Sequence, residues 1–357
     1  MSKNHWQAVF RIAGAVVSGI LLALAFPPFE SPEAAWVGLI PFFLVCRWTA
    51  PARSFLYGIA AGLVFWLVSL SWLLFLYKTW GYLPAVTLAW LALGAYCSLY
   101  FGLFAFAGSW VLRRWWKFGA GSDGAGRGIT GWLYSSLQGV GVMLVLAVLW
   151  VGFEYLRSLL FTGFPWNALG ISQYSKITFI QMAEWTGVYG VSALVVFVNA
   201  AFSLTTIRII INARQRRTEK GLHAELLTGL IVWLLCWAGG IGLIKEADRH
   251  AAAGSRAFIS CVQPDVKQVK KWTKEHTRHI YGQLRQYTEI ASMGDPDLIV
   301  WPETAVPGYL GAHEALRDHE AMTFVKEMGR KYGPILAGAM ETSYSENGEV
   351  EYFNSSF

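Results

Sequence analysis

The chain has 357 residues, of which 55% are hydrophobic, 15% aromatic and 15% charged, with 18 Trp and a net charge of +6. Soluble domains carry about a quarter charged residues, so this composition excludes an ordinary soluble domain, a disordered chain and a collagen-like repeat. It points to a polytopic membrane protein.

Seven membrane segments are predicted, at 12–28, 34–49, 55–77, 84–112, 139–161, 184–207 and 225–244. About 20 apolar residues in a helix cross the hydrocarbon core. The first two segments are short and flank Phe26-Pro27-Pro28-Phe29, which makes them candidates for tilted or interfacial helices. The first is not a signal peptide, because it ends without an A-x-A cleavage site and further spans follow. Gly119–Gly128 is glycine-rich, but no Gly-Lys-Ser/Thr follows it, so it reads as a cytoplasmic linker rather than a phosphate cradle.

The charges orient these segments. There are 16 Lys/Arg against 7 Asp/Glu through Ile244, and 13 against 16 from Lys245 onward. With the N-terminus in the cytoplasm, the inward regions hold Lys3 and Arg11; Arg47 and Arg53; Arg113, Arg114, Lys117 and Arg127; and Arg208, Arg214, Arg216, Arg217 and Lys220. The outward loops hold only Lys78 and Lys176, with Arg157 near a membrane end. This asymmetry follows the positive-inside rule, and seven crossings put everything after Ile244 outside. The basic excess lies in loops and not on one face of a domain, which argues against a nucleic-acid partner.

From Arg256 the pattern becomes α/β. Strands are predicted at Ala257–Val262, Asp297–Trp301, Ile335–Met340 and Glu351–Phe357, and helices at Lys267–Met293 and His313–Tyr332. Strands separated by helices imply βαβ connections. The division is therefore a helical membrane domain, 1–244, and an α/β segment, 245–357, whose last strand ends the chain uncapped, as in an unfinished domain.

Glu303 is the leading candidate for chemistry. Asp297-Leu298-Ile299-Val300-Trp301 reads as a buried strand stopped by Pro302, which delivers Glu303 at the strand's C-terminal end. Ligands and catalytic groups gather at such ends. A carboxylate packed between Trp301 and Pro307 is desolvated, which suits a general base. Spacing alone favours the other reading, a glutamate that closes a turn, because one carboxylate identifies no reaction.

Other candidates carry less. Cys46, Cys97 and Cys236 lie in apolar runs, and Cys261 sits among Phe258, Ile259 and Val262, where it reads as core filler and not a nucleophile. Lys267, Lys270, Lys271 and Lys274 read as a solvated helix face. His276 and His279 have metal-like spacing, but Lys274 and Arg278 beside them argue against a cation, and no metal or cofactor is expected. Glu154 and Arg157 share a helix face and can pair; an ionisable group at the end of a span is either functional or a structural ion pair. Trp166, after a Gly-Phe-Pro turn, suits an interfacial belt.

Four stretches carry a family resemblance. Asp297-Leu298-Ile299-Val300-Trp301-Pro302-Glu303-Thr304-Ala305-Val306-Pro307 resembles the glutamate motif of the nitrilase (carbon–nitrogen hydrolase) superfamily, in the form used by apolipoprotein N-acyltransferases. Phe153-Glu154-Tyr155-Leu156-Arg157, leading into Phe161-Thr162-Gly163-Phe164-Pro165-Trp166-Asn167, is similar to the same family's Glu-(Trp/Tyr)-Leu-Arg…Thr-Gly-Phe-Pro-Trp signature. Val262-Gln263-Pro264-Asp265-Val266, with Gln268 and Lys271-Trp272, resembles its opening strand and helix, although Pro264-Asp265 replaces the usual Gly-Asn. Tyr352-Phe353-Asn354-Ser355 resembles its Tyr-Asn-Ser/Thr strand.

The resemblance implies a polytopic α-helical membrane domain followed by part of an αββα nitrilase-like domain on the periplasmic side of a bacterial inner membrane. It implies an enzyme in which a Glu-Lys-Cys triad takes an acyl chain from a membrane phospholipid as a thioester. The acceptor would be the α-amine of the diacylglyceryl-cysteine that begins an apolipoprotein. Glu303 matches the triad glutamate. Trp166 would belong to the lipid entrance, with Glu154 and Arg157 beside it as substrate-binding candidates, and Trp272 would line the acyl pocket or else pack in the core. The triad Lys and Cys belong to motifs that follow the Tyr-Asn-Ser/Thr strand, beyond Phe357, so the 357 residues alone are expected to be an inactive monomeric fragment. The alternative is a noncatalytic membrane scaffold or lipid-binding protein. A transporter and a soluble nitrilase fit the spans less well.

Overall fold

The computed structural model describes residues 3–116, 129–216, 223–266, 274–311, 318–345, 347 and 349–357. The chain divides into two compact units, Met1–Arg249 and His250–Phe357.

The first unit is helical: α1 (Lys3–Leu24), α2 (Pro32–Gly38), α3 (Ile40–Arg47), α4 (Pro51–Ser69), α5 (Tyr77–Trp80), α6 (Leu83–Arg114), α7 (Ile129–Leu159), α8 (Ile177–Ile180), α9 (Ala183–Arg214) and α10 (Ala224–Ala253). Among the described residues six helices, in α1, α4, α6, α7, α9 and α10, are long and apolar enough to cross a membrane. The predicted 34–49 span is not one of them. Pro41, at the second position of α3, supplies no N–H to the preceding turn, and the helix breaks at Leu39. Past the predicted end of the last span at Ile244, α10 continues as a helix through polar residues to Ala253.

The break exposes backbone groups that a bilayer cannot satisfy. Asn199, fully buried on α9, satisfies them: its Oδ1 accepts from Leu39 N at 2.9 Å, and its Nδ2 donates to Ala35 O at 2.8 Å. The α2–α3 pair runs back along α1. Ser31 N bonds Leu24 O at 2.9 Å near one end, and Arg11 Nη2 bonds Trp48 O at 3.0 Å at the other. Asn199→Leu leaves Ala35 O without this donor, at about 1–3 kcal/mol, while Leu39 N keeps its bond to Val37 O. It is expected to lower the melting temperature of the detergent-solubilised protein; an unchanged midpoint would show that other contacts hold the break.

Small residues bring α4 and α6 together, as in membrane helix pairs generally. A Cβ at Gly58 would stand 2.5 Å from Phe101 O, and one at Gly62 would stand 2.9 Å from Ser98 Cα. Around that contact Phe42, Phe43, Trp66, Phe104 and Trp116 are fully buried.

The second unit holds β1 (Ile259–Cys261), α11 (Lys274–Ser292), β2 (Leu298–Val300), β3 (Val306–Tyr309), α12 (His319–Tyr332), β4 (Ile335–Leu336), β5 (Gly338–Tyr344) and β6 (Val350–Ser356). They form two three-stranded sheets, β1-β2-β4 and β3-β5-β6. The first is parallel throughout; in the second, β3 and β5 are parallel and β5 and β6 antiparallel. The predicted strand Ile335–Met340 is thus two strands, divided at Ala337 between sheets. β3 was not expected. Ile280, Leu284, Ile299, Trp301, Phe324 and Met328 form the core, and the buried Trp301 Nε1 donates to Thr288 Oγ1 at 3.0 Å.

Candidate active site

Glu303 sits on an arch between the two sheets. Trp301 N donates to Leu336 O at 2.9 Å, and Ala305 N donates to Gly338 O at 2.9 Å. Pro302-Glu303-Thr304 bridges these anchors directly over Gly338. A Cβ on Gly338 would collide with the Pro302 carbonyl and stand 2.9 Å from Glu303 Cα, so only glycine fits beneath the arch. Thr304 has φ +48°, a left-handed conformation that costs a β-branched residue about 1–3 kcal/mol and that concentrates at functional sites.

The carboxylate is held from the second sheet. Asn354, on β6 opposite Met340, donates from Nδ2 to Glu303 Oε1 at 2.8 Å. Trp301, Ala305 and Val306 are buried, but the Glu303 side chain is exposed. The expected packing between Trp301 and Pro307 is therefore not found: these residues anchor the arch and lift the carboxylate clear of the core. Cys261 also departs from expectation, being exposed and not core filler. Ser260 faces α11, bonding Ala291 O at 3.3 Å, so its neighbours Ile259 and Cys261 project from the opposite, open face, alongside Leu336.

A second constellation lies in the helical unit, at the end of α7. Glu154 and Arg157 do not pair with each other. Glu154 Oε1 accepts from Trp150 Nε1 and from Leu169 N, both at 2.7 Å. The buried Arg157 donates to the carbonyls of Phe164 and, at 2.8 Å, Trp166, and its guanidinium lies 4.7 Å from the Trp66 ring centroid. Each charged group thus holds the loop that follows α7 by its backbone. That loop is sharply bent: Phe161, Thr162 and Asn167 have φ of 53°, 72° and 52°, and Gly163 has φ 82° where a Cβ would overlap the Ser158 carbonyl.

The bend presents Trp166, half exposed, stacked on Trp72 with ring centroids 5.1 Å apart and on Phe164 at 5.9 Å. Behind this ladder is an apolar cavity lined by Trp66, Tyr100, Phe101 and Trp150, into which Glu154 and Arg157 also face. Trp272, Lys267, Lys270, Lys271 and the Gly119–Gly128 stretch lie outside the described residues. Among the described residues no three His, Cys, Asp or Glu side chains are grouped as metal ligands.

Comparison with known proteins decides the family. Residues 18–201, which include Glu154, Arg157 and Trp166, match the family model described as the apolipoprotein N-acyltransferase N-terminal domain. The chain belongs to the apolipoprotein N-acyltransferase family. It is 29% identical over 350 residues to the apolipoprotein N-acyltransferase of Geobacter metallireducens, covering 96% of this chain and 59% of that protein. The Brucella suis apolipoprotein N-acyltransferase is 30% identical over 363 residues, covering 97% and 60% respectively. The apolipoprotein N-acyltransferase 1 of Treponema denticola is 27% identical over 299 residues, covering 82% and 48%. The chain spans about three fifths of the length of these Geobacter and Brucella relatives.

Asn354, Gly338 and Trp72 were not singled out from the sequence. Asn354 lies within a stretch that resembles the family, but its partner is 51 positions away. Gly338 carried no signal, as an ordinary glycine inside an apolar run.

Proposed function

We propose that this chain is the membrane domain and the first part of the catalytic domain of an enzyme that moves an acyl group from phospholipid to the N-terminal diacylglyceryl-cysteine of apolipoproteins. Glu303 is the general base. It takes the proton of a cysteine thiol, the thiolate attacks the phospholipid ester, and the lysophospholipid leaves as an alcohol with that proton; the acyl group waits as a thioester until the acceptor amine displaces the thiol and forms the amide. A lysine, with backbone donors, stabilises the tetrahedral oxyanion. By resemblance, that cysteine and lysine belong to motifs C-terminal to the strand now seen as β6.

The observation that carries this reading is the hold on Glu303: a carboxylate on a glycine-dependent, strained arch at a strand end, with Asn354 bonded to one oxygen. The loop after α7, with Trp166 on its outer side, supports a lipid entrance at the membrane surface. Topology supports the same arrangement. Counting α2–α3 as one interrupted crossing gives seven crossings, with the N-terminus cytoplasmic and the segment after α10 emerging on the extracytoplasmic side of the inner membrane.

The test compares two products in inverted membrane vesicles opened with detergent, given phospholipid and a synthetic diacylglyceryl-cysteine peptide. A protein in which this chain is continued C-terminally to the length of the relatives it matches is expected to N-acylate the peptide, and residues 1–357 alone are expected to give no product. Acylation by 1–357 would overturn the assignment of nucleophile and lysine to sequence beyond Phe357.

A further inference from the structure

The last turns of α6 and the facing part of α7 stand apart and leave a wedge. Trp110, Arg114 and Trp115 line one wall, and Gln138, Gly141 and Val142 the other. The wedge holds about 680 Å³, a volume typical of ligand sites, which run to about 300–1,000 Å³. Among the described residues, no atom outside the α7 backbone lies within 4 Å of where a Gly141 Cβ would stand, so a larger side chain there would enter the wedge.

Its chemistry is that of a membrane interface. Trp110 and Trp115 are 47% and 44% exposed, with ring centroids 5.6 Å apart, like belt tryptophans at headgroup level. Arg113 and Arg114 end α6 beside them, both exposed, and among the described residues neither pairs with a carboxylate. The helix dipole and membrane topology favour cations at this helix end. Neither requires an open apolar wedge beside them. Basic pockets between membrane helices on the cytoplasmic side recognise anionic headgroups.

We propose that this wedge binds an anionic phospholipid of the cytoplasmic leaflet, with its phosphate on Arg114 and an acyl chain along Gly141 and Val142. The site is distinct from the proposed acyl-donor site. Arg157 lies 19 residues after Gln138 along α7, about 28 Å away at about 1.5 Å per residue.

The test is native mass spectrometry of the full chain released from nanodiscs of phosphatidylcholine mixed with phosphatidylglycerol. The wild type is expected to retain phosphatidylglycerol in preference to phosphatidylcholine. Arg114→Gln is expected to lower that retention about fivefold, the worth of one interfacial cation. Gly141→Leu, which fills the wedge without changing charge, is expected to lower it at least as much, and Arg53→Gln, a cation removed from the wedge, is expected to leave it unchanged. Equal retention of the two lipids by the wild type would overturn the site. So would retention that falls equally in Arg114→Gln and Arg53→Gln, or that survives Gly141→Leu, since either result marks diffuse attraction to the surface.

Discussion

Replacing Glu303 with Gln in the full-length enzyme is expected to cut acyl transfer by about 10²–10⁴-fold, the usual worth of a general base, and to leave membrane insertion intact. Gln keeps the shape of the side chain and an oxygen able to accept from Asn354 Nδ2, so the bond that now measures 2.8 Å survives. What is lost is basicity. A thiol near its ordinary pKa is a few per cent thiolate at neutral pH, which explains why a residual rate is expected rather than none. Wild-type turnover by this variant, measured with a radiolabelled phospholipid donor, would show that another group takes the proton.

The second large effect comes from a residue with no chemistry. Gly338→Ala is expected to lower the full-length enzyme's turnover about a hundredfold, because a misplacement of about 1 Å at a reacting group costs that much. The added methyl meets backbone on the arch, the Pro302 carbonyl and Glu303 Cα, and backbone cannot swing aside as a side chain would. The control is Gly329→Ala in α12, where among the described residues nothing outside the helix backbone lies within 4 Å. There the substitution is expected to stabilise the helix by about 0.5–1 kcal/mol and leave turnover alone. Equal turnover in the two variants would mean that the arch does not set the position of Glu303.

Much of this was legible in the sequence because it depends on local pattern. Apolar run length located the long helices, and the strand at Asp297–Trp301 with Pro302 behind it placed Glu303 at a strand end. The misreadings share a different cause. The run at 34–49 is apolar throughout, but it is not one helix: Pro41 breaks it, and Asn199, on a helix and 160 positions away, bonds Leu39 N at the break. Ile335–Met340 has one continuous apolar pattern, yet the backbone changes sheets at Ala337, a choice set by tertiary pairing. β3 was missed because Val306-Pro307-Gly308-Tyr309 contains the residues that ordinarily end strands.

The charged pair at the end of α7 teaches the same lesson. Glu154 and Arg157 have the spacing of an ion pair, and helix geometry permits one. The loop after α7 offers each something better: the Leu169 N–H for the carboxylate, and the Phe164 and Trp166 carbonyls for the guanidinium. In lipid an unsatisfied backbone group costs several kcal/mol, so the charged side chains go to the loop. Cys261 was read as filler because its neighbours are apolar, whereas its exposure follows from which face of β1 is covered by α11.

The most direct measurement is the intact mass of the purified full-length enzyme after incubation with phospholipid and no acceptor. The wild type is expected to gain the mass of one acyl chain, removable by neutral hydroxylamine as a thioester must be, and in the time the wild type takes to reach full modification Glu303→Gln is expected to remain almost wholly unmodified. An equal, hydroxylamine-labile adduct on both proteins would contradict Glu303 as the base that activates the thiol.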